Sequence, residues 1–259
     1  MSRLLFLLVF LSFSNAADAY RHCIADWFCV IKDESQNAIK LENLTDFPVV
    51  VTLDAVWNNA KGKKQRVSIT RQLTTRDESQ FYIFDSPINQ LWASLHYNAA
   101  WAGGIENAVH DASWEYQLPF DKSEHYSMVQ GFNGGFSHYG ESRYAVDFAM
   151  PVGTPIYAAR GGVVIDTEHK FNQGGSSRRY AAYANYIVIL HKDGTTGEYY
   201  HLKQHGVVVA RGQHIKEGQL IGYSGNTGFS SLPHLHFAVY QARAGGKYQS
   251  LPFKFASNT

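Results

Sequence analysis

From Gly131 onwards the chain is cut by turn residues at short intervals, and no long amphipathic helical period fits between them. Gly131-Phe132-Asn133-Gly134-Gly135 opens this half. Pro151-Val152-Gly153-Thr154-Pro155 reads as a turn, and Gly161-Gly162 leads into Val163-Val164-Ile165. Ile187–Leu190 and Glu198–Leu202 flank Asp193-Gly194, a strong hairpin signal. Short apolar runs between such turns are strands, so residues 129–259 are expected to form a compact antiparallel β domain. The half before it reads in the same way. Val49–Leu53, Val67–Thr70 and Phe81–Phe84 are strand-like, with a turn at Asn58–Gly62. These predict a small β-sandwich over residues 20–115, joined by a linker at 116–128, and hence an all-β chain of two domains.

The 259 residues are enough to bury a real core. With 45% hydrophobic and 17% charged residues, the composition is that of a folded protein. The net charge is +1 and no basic cluster stands out, so a nucleic-acid partner is not expected. Arg3, the apolar run Leu4–Phe13 and the small residues around Ala16 and Ala19 have the order of a secretory signal peptide, assigned to residues 1–19. That run is too short to span a bilayer, and no membrane span is expected in the mature chain. The expected location is the periplasm or the medium. The only two cysteines, Cys23 and Cys29, then favour a disulfide over a metal site, because their spacing is wider than usual for zinc.

Twelve histidines are present. His234 and His236 sit two apart in His234-Leu235-His236-Phe237, so in a strand both imidazoles share one face while Leu235 and Phe237 take the other. Asp147 shares a face with Ala145 and Ala149, opposite Val146 and Phe148. A carboxylate flanked by small residues is open to whatever faces it. His138 precedes it by nine positions in a loop of Gly, Ser and Tyr, which can fold back. His138, Asp147 and one of the terminal histidines would supply two nitrogens and one oxygen, a set suited to a catalytic zinc with an open position. His201 ends the strand Tyr199–Leu202 and could stabilise an oxyanion or simply bond backbone. His191, His205 and His214 read as structural. His125 and His169 have no companion pattern, and His22, His96 and His110 look like ordinary surface or packing residues.

Taken in order, residues 129–240 resemble the lysostaphin-type (LytM-type) zinc endopeptidases of cell walls. The resemblance rests on Ser137-His138 with Tyr144-Ala145-Val146-Asp147, Pro151–Ile156, Ala158–Val164 and Asn185–Val188. It continues through Tyr200-His201-Leu202, Gly218–Gly222, Ser224-Gly225-Asn226-Thr227-Gly228 and Pro233–Phe237. It implies one zinc ion held by His138, Asp147 and His236, with His201 and His234 as the non-ligand catalytic pair. It implies a groove across the β domain and hydrolysis of peptide bonds in peptidoglycan. One feature departs from the family: eight residues separate His138 from Asp147, more than the common motif has. The loop Phe171–Tyr183 is a second candidate groove wall. Two other readings of the same residues are a secreted protease acting on glycine-rich or other proteins, and a non-enzymatic module that activates an amidase. Members of that last kind lack metal ligands, and none is missing here. Nothing in the sequence assigns a role to the N-terminal domain or names a protein partner.

Overall fold

The computed structural model describes residues 21–84 and 87–257; the expected leader lies outside them. The described chain forms two compact units, residues 21–106 with 242–247 and residues 107–241 with 248–257.

The first unit contains β1 (Arg21–Ile24), β2 (Phe28–Asp33), β3 (Ala38–Asn43), β4 (Val49–Asn58), β5 (Lys64–Leu73), β6 (Glu78–Ile83) and β7 (His96–Gly103). One sheet has the order β1-β2-β3-β6 and the other β5-β4-β7. Aromatic contacts join the two: Phe28 meets Trp101 edge-on at 5.8 Å, and Trp57 packs on Tyr82 and on Phe84 at 5.6 and 5.1 Å. This is the expected sandwich, with rings filling the space between sheets. The predicted turn lies between β4 and β5, where Gly62 supplies a positive φ of 72°. Cys23 and Cys29 face each other across the β1–β2 hairpin and form the expected disulfide.

The second unit contains β8 (Glu115–Tyr116), β9 (Met128–Gln130), β10 (Val146–Ala149), β11 (Pro155–Tyr157), β12 (Gly162–Glu168), β13 (Gly174–Gly175) and β14 (Tyr186–Leu190). It continues with β15 (Thr196–Tyr200), β16 (His214–Ile215), β17 (Leu220–Tyr223), β18 (Gly228–Phe229), β19 (His234–Arg243), β20 (Lys247–Leu251) and β21 (Lys254–Phe255). Its main sheet runs β16-β12-β14-β15-β19-β10-β9, with β20 beside β19. Period-two alternation sorts its side chains. Val146, Phe148, Tyr199, Leu235, Phe237 and Val239 pack into one core. Full burial of each such side chain contributes roughly 1.5–3 kcal/mol. Asp147, Tyr200, His234 and His236 are thereby sent to the opposite face. Among the described residues the longest α-helix is Ile88–Leu91, and no helix is long and apolar enough to cross a membrane.

The chain divides at 106/107 and not across 116–128. The stretch read as a linker is part of the second unit. Tyr116 is fully buried in its core, β8 pairs with β21, and Arg160 donates to the Tyr116 hydroxyl and to Asp193 Oδ2, at 3.2 and 2.7 Å. Polar turns hide this in the sequence, because the apolar anchors Tyr116 and Phe120 are isolated. His110 belongs to this unit too, stacked on Tyr116.

His191 is structural, as expected. Its Nδ1–H donates to the Gly161 carbonyl at 3.0 Å, and burial pushes its pKa down from 6.5 to about 4. The unfolded chain therefore binds this proton at higher pH than the native protein. Between pH 6.5 and about 4 the unfolded state holds more protons, so this group lowers stability as pH falls through that window. Above the window both imidazoles are neutral and its contribution is flat. In His191→Gln the pH dependence of chemical denaturation across this window should be shallower, by at most about 1.4 kcal/mol per pH unit. An unchanged slope would show that His191 does not take up the proton.

Candidate active site

The site grows from strand register. β10 and β19 are antiparallel with Asp147 directly opposite His236 and Ala149 opposite His234. β15 lies on the other side of β19 and sets Tyr200 opposite His236. The small Ala149 leaves room beside His234. His138 arrives from the loop between β9 and β10, which folds back so that His138 is fully buried.

Three ligand atoms converge. His138 Nε2 and His236 Nδ1 lie 3.1 and 2.9 Å from Asp147 Oδ1. One ligand atom from each of the three residues falls within 4.8 Å of the others. The tautomer of His138 follows from its partner. Its Nδ1 is 2.9 Å from the Gly131 carbonyl, which can only accept, so Nδ1 carries the hydrogen. Nε2 is then the ring nitrogen turned towards the carboxylate oxygen, and it is buried with no hydrogen-bond partner. The set of two imidazoles and one carboxylate suits a divalent metal.

The electrostatics agree. Burial alone would raise the Asp147 pKa, but the imidazoles of His138 and His236 outweigh it and hold the carboxyl well below its usual range. Burial pushes His236 down against the pull of Asp147. The cradle is thus an ionised carboxylate beside imidazoles, with net negative charge when both rings are neutral.

Two more histidines stand beside it. His201 and His234 have ring centroids 4.5 Å apart, and His201 lies 5.9 Å from His236. His201 Nδ1 donates to the Thr227 carbonyl and His234 Nδ1 to the Leu232 carbonyl, both at 2.7 Å. Both rings therefore leave Nε2 as the nitrogen free to work. Burial, reinforced by His234 and His236, drives the His201 pKa far below its ordinary value, so this ring is neutral near pH 7. His201 adopts a left-handed φ of 67°, costly for a residue with a Cβ, which turns its ring out of line with β15. Neighbouring backbone enforces that shape. Asn185 and Thr227 both donate to the Leu202 carbonyl. Gly225 approaches so closely that a Cβ there would sit 2.4 Å from Lys203 N and 2.7 Å from His201 O. The same glycine bridges to His234. That is a physical reason for a glycine in Ser224-Gly225-Asn226-Thr227-Gly228.

Sequence reasoning missed Gln130. Its Nε2 donates to Asp147 Oδ2 at 2.9 Å and to Ser137 Oγ at 2.8 Å, while its Oε1 accepts from the N–H groups of Phe136 and Ser137. One amide thus aims Oδ1 at the cradle and pins the loop that delivers His138. Its three-residue strand is too short to show an alternation that would have marked it. The remaining histidines stay away from this cluster. His169 and His205 pair with each other at 5.9 Å.

Residues 141–250 match the model of peptidase family M23. That stretch makes up most of the C-terminal half of the chain. The match includes Asp147, His201, His234 and His236; His138 precedes it, and only the geometry brings that residue to the cluster. Among curated proteins, lysostaphin of Staphylococcus staphylolyticus is 37% identical over 51% of this chain and 25% of its own length. The peptidoglycan DD-endopeptidase ShyA of Vibrio cholerae is 42% identical over 69% of this chain and 40% of its own length. This chain therefore spans well under half of either relative. Among solved structures, the catalytic domain of lysostaphin from Staphylococcus simulans is 29% identical, with a TM-score of 0.34, covering 48% of this chain and 85% of that one.

If Gln130 orients the carboxylate, Gln130→Leu should weaken metal affinity by about ten- to a hundredfold, the range for lost outer-shell partners. Competition with a chromogenic chelator measures this. Unchanged affinity would mean that β10 alone aims Asp147.

Proposed function

We propose that this protein is a zinc-dependent endopeptidase that hydrolyses peptide bonds in peptidoglycan, and that it acts outside the cytoplasm, in the periplasm or the medium. The observation that carries the reading is a His138–Asp147–His236 cradle beside two imidazoles whose Nδ1 atoms are tied to carbonyls, leaving Nε2 to work. The match of residues 141–250 to peptidase family M23, and relatives named as wall endopeptidases, support the substrate class.

His138, Asp147 and His236 would hold one zinc ion. That ion supplies Lewis acidity, polarising a peptide carbonyl and making water nucleophilic near neutral pH. The protein's own residues do the rest. His201 and His234, their Nδ1 atoms tied to carbonyls, turn Nε2 to the site as base or donor. As the water oxygen adds to the carbonyl carbon, one of these nitrogens takes the proton. It returns that proton to the leaving amine as the carbon–nitrogen bond breaks. The protonated ring also faces the developing oxyanion. Fixed tautomers keep both rings ready, so the reaction does not have to reorient them.

A protein substrate is the alternative for the same chemistry, and the bond cleaved decides it. The module that only activates an amidase is disfavoured, because all five functional side chains are present and clustered.

The test is digestion of purified peptidoglycan, with and without chelator, read by mass spectrometry of the fragments. Chelator-sensitive loss of cross-linked fragments is expected. Zinc bound without cleavage would point to a protein substrate; neither zinc nor cleavage would sink the enzyme reading. In addition, His236→Ala should lose zinc, whereas His234→Ala should keep it and lose activity by at least about a hundredfold, the lower range for general acid–base groups. The opposite pattern of metal retention would reverse the two roles.

A further inference from the structure

The surface above the cradle carries an arrangement that hydrolysis alone does not require. Phe136, in the loop that delivers His138, stacks on Phe229 with centroids 5.2 Å apart and planes 17° apart. Phe229 precedes Ser230, whose hydroxyl sits 3.1 Å from His234 Nδ1. The two aromatic residues therefore join the His138 side of the site to the His234 side. Arg178, at the start of the 3-10 segment Arg178–Tyr183, lies across this junction. Its guanidinium is 5.5 Å from the Phe229 ring and 5.8 Å from the Tyr139 ring, and it donates to the Tyr139 hydroxyl. Tyr139 directly follows the ligand His138.

An exposed arginine ordinarily finds an acidic partner or stays mobile in solvent. Arg178 does neither. No acidic side chain pairs with it among the described residues, and two aromatic faces with one hydroxyl fix its plane. The guanidinium has five N–H donors, and Tyr139 takes one. The remaining edge is a preorganised fork of the kind that binds a carboxylate through two parallel hydrogen bonds. Its base is also held. Asn185 bonds both the N–H and the carbonyl of Phe171, and Gly174-Gly175 pairs with Gly228-Phe229, so the loop that carries Arg178 is tied to the same site.

We infer that Arg178 is a specificity residue that reads a free carboxylate on the peptide beside the scissile bond. Its ligand class is an anionic stem peptide, as opposed to one whose carboxylates are amidated. This rests on the peptidoglycan reading above and narrows it. Arg179 is the internal control, since its guanidinium stacks on Tyr180 and bonds the Tyr180 hydroxyl instead of spanning the two sides.

The experiment compares binding of two uncross-linked synthetic stem peptides, identical except that one carries free carboxylates and the other carboxamides. Calorimetry at low salt is run on the zinc-loaded protein, Arg178→Gln and Arg179→Gln, with zinc content confirming an intact site in each. The wild type should bind the carboxylate form about tenfold more tightly. Arg178→Gln should bring that ratio near one without weakening the amidated peptide, and Arg179→Gln should leave it in place. Equal affinities in the wild type, a ratio retained in Arg178→Gln, or a ratio lost only in Arg179→Gln would each overturn the assignment. Wall digestion is scored separately. Digestion with no carboxylate preference defeats Arg178 alone, and preference without digestion of any wall material defeats the hydrolase reading alone.

Discussion

The pairing of β10 with β19 is the constraint on which the site depends. It sets Asp147 opposite His236, and the pairing of β15 with β19 sets Tyr200 opposite the same histidine. Side chains alternate along a strand, so a slip of one residue would turn Asp147 towards the core around Phe237 and send Val146 and Phe148 to the cradle face. The core prevents that slip. Val146, Phe148, Leu235 and Phe237 are buried together in one core, which a one-residue slip would break. The hydrophobic effect, with no knowledge of metal chemistry, thereby places two of the three ligands.

What strand pairing cannot do, backbone carbonyls complete. Those of Gly131, Thr227 and Leu232 each accept from an Nδ1–H, on His138, His201 and His234 respectively. Each bond turns the basic nitrogen of its ring towards the working face. His236 is the exception, because its Nδ1 faces Asp147 at 2.9 Å. The four imidazoles thus differ in role through the atoms behind them. Burial favours the neutral form for His201 and His236, which suits both a ligand and a base. Such a cluster costs stability without a cation, and the extensive core of the second unit offsets that cost.

The long spacer between His138 and Asp147 has a structural use. It begins with Tyr139, which stays outside while His138 turns inward. Tyr139 meets Arg178, so the feature that departs from the common family pattern also supplies part of the surface around the site. The first unit contributes nothing to the cluster. Its aromatic sandwich and the Cys23–Cys29 hairpin form a separate core.

Much of this was legible in the sequence alone. Period-two alternation in Val146–Phe148 and His234–Phe237 announced which faces would be wet, and turn residues announced strands in place of helices. The same patterns put Asp147 and the pair His234 and His236 on open strand faces, and the resemblance to the lysostaphin-type family singled out these residues together with His138 and His201. All of these are local signals, carried by neighbours a few positions away. The tertiary structure alone decided that Gln130 bonds Asp147, that Gly225 presses on the backbone of His201, and that Arg178 is caught between Tyr139 and Phe229. It also moved residues 116–128 from a linker into a core. These are contacts between segments far apart in the chain. They depend on how strands stack and loops return, and no periodicity within one segment encodes the partner that another will bring.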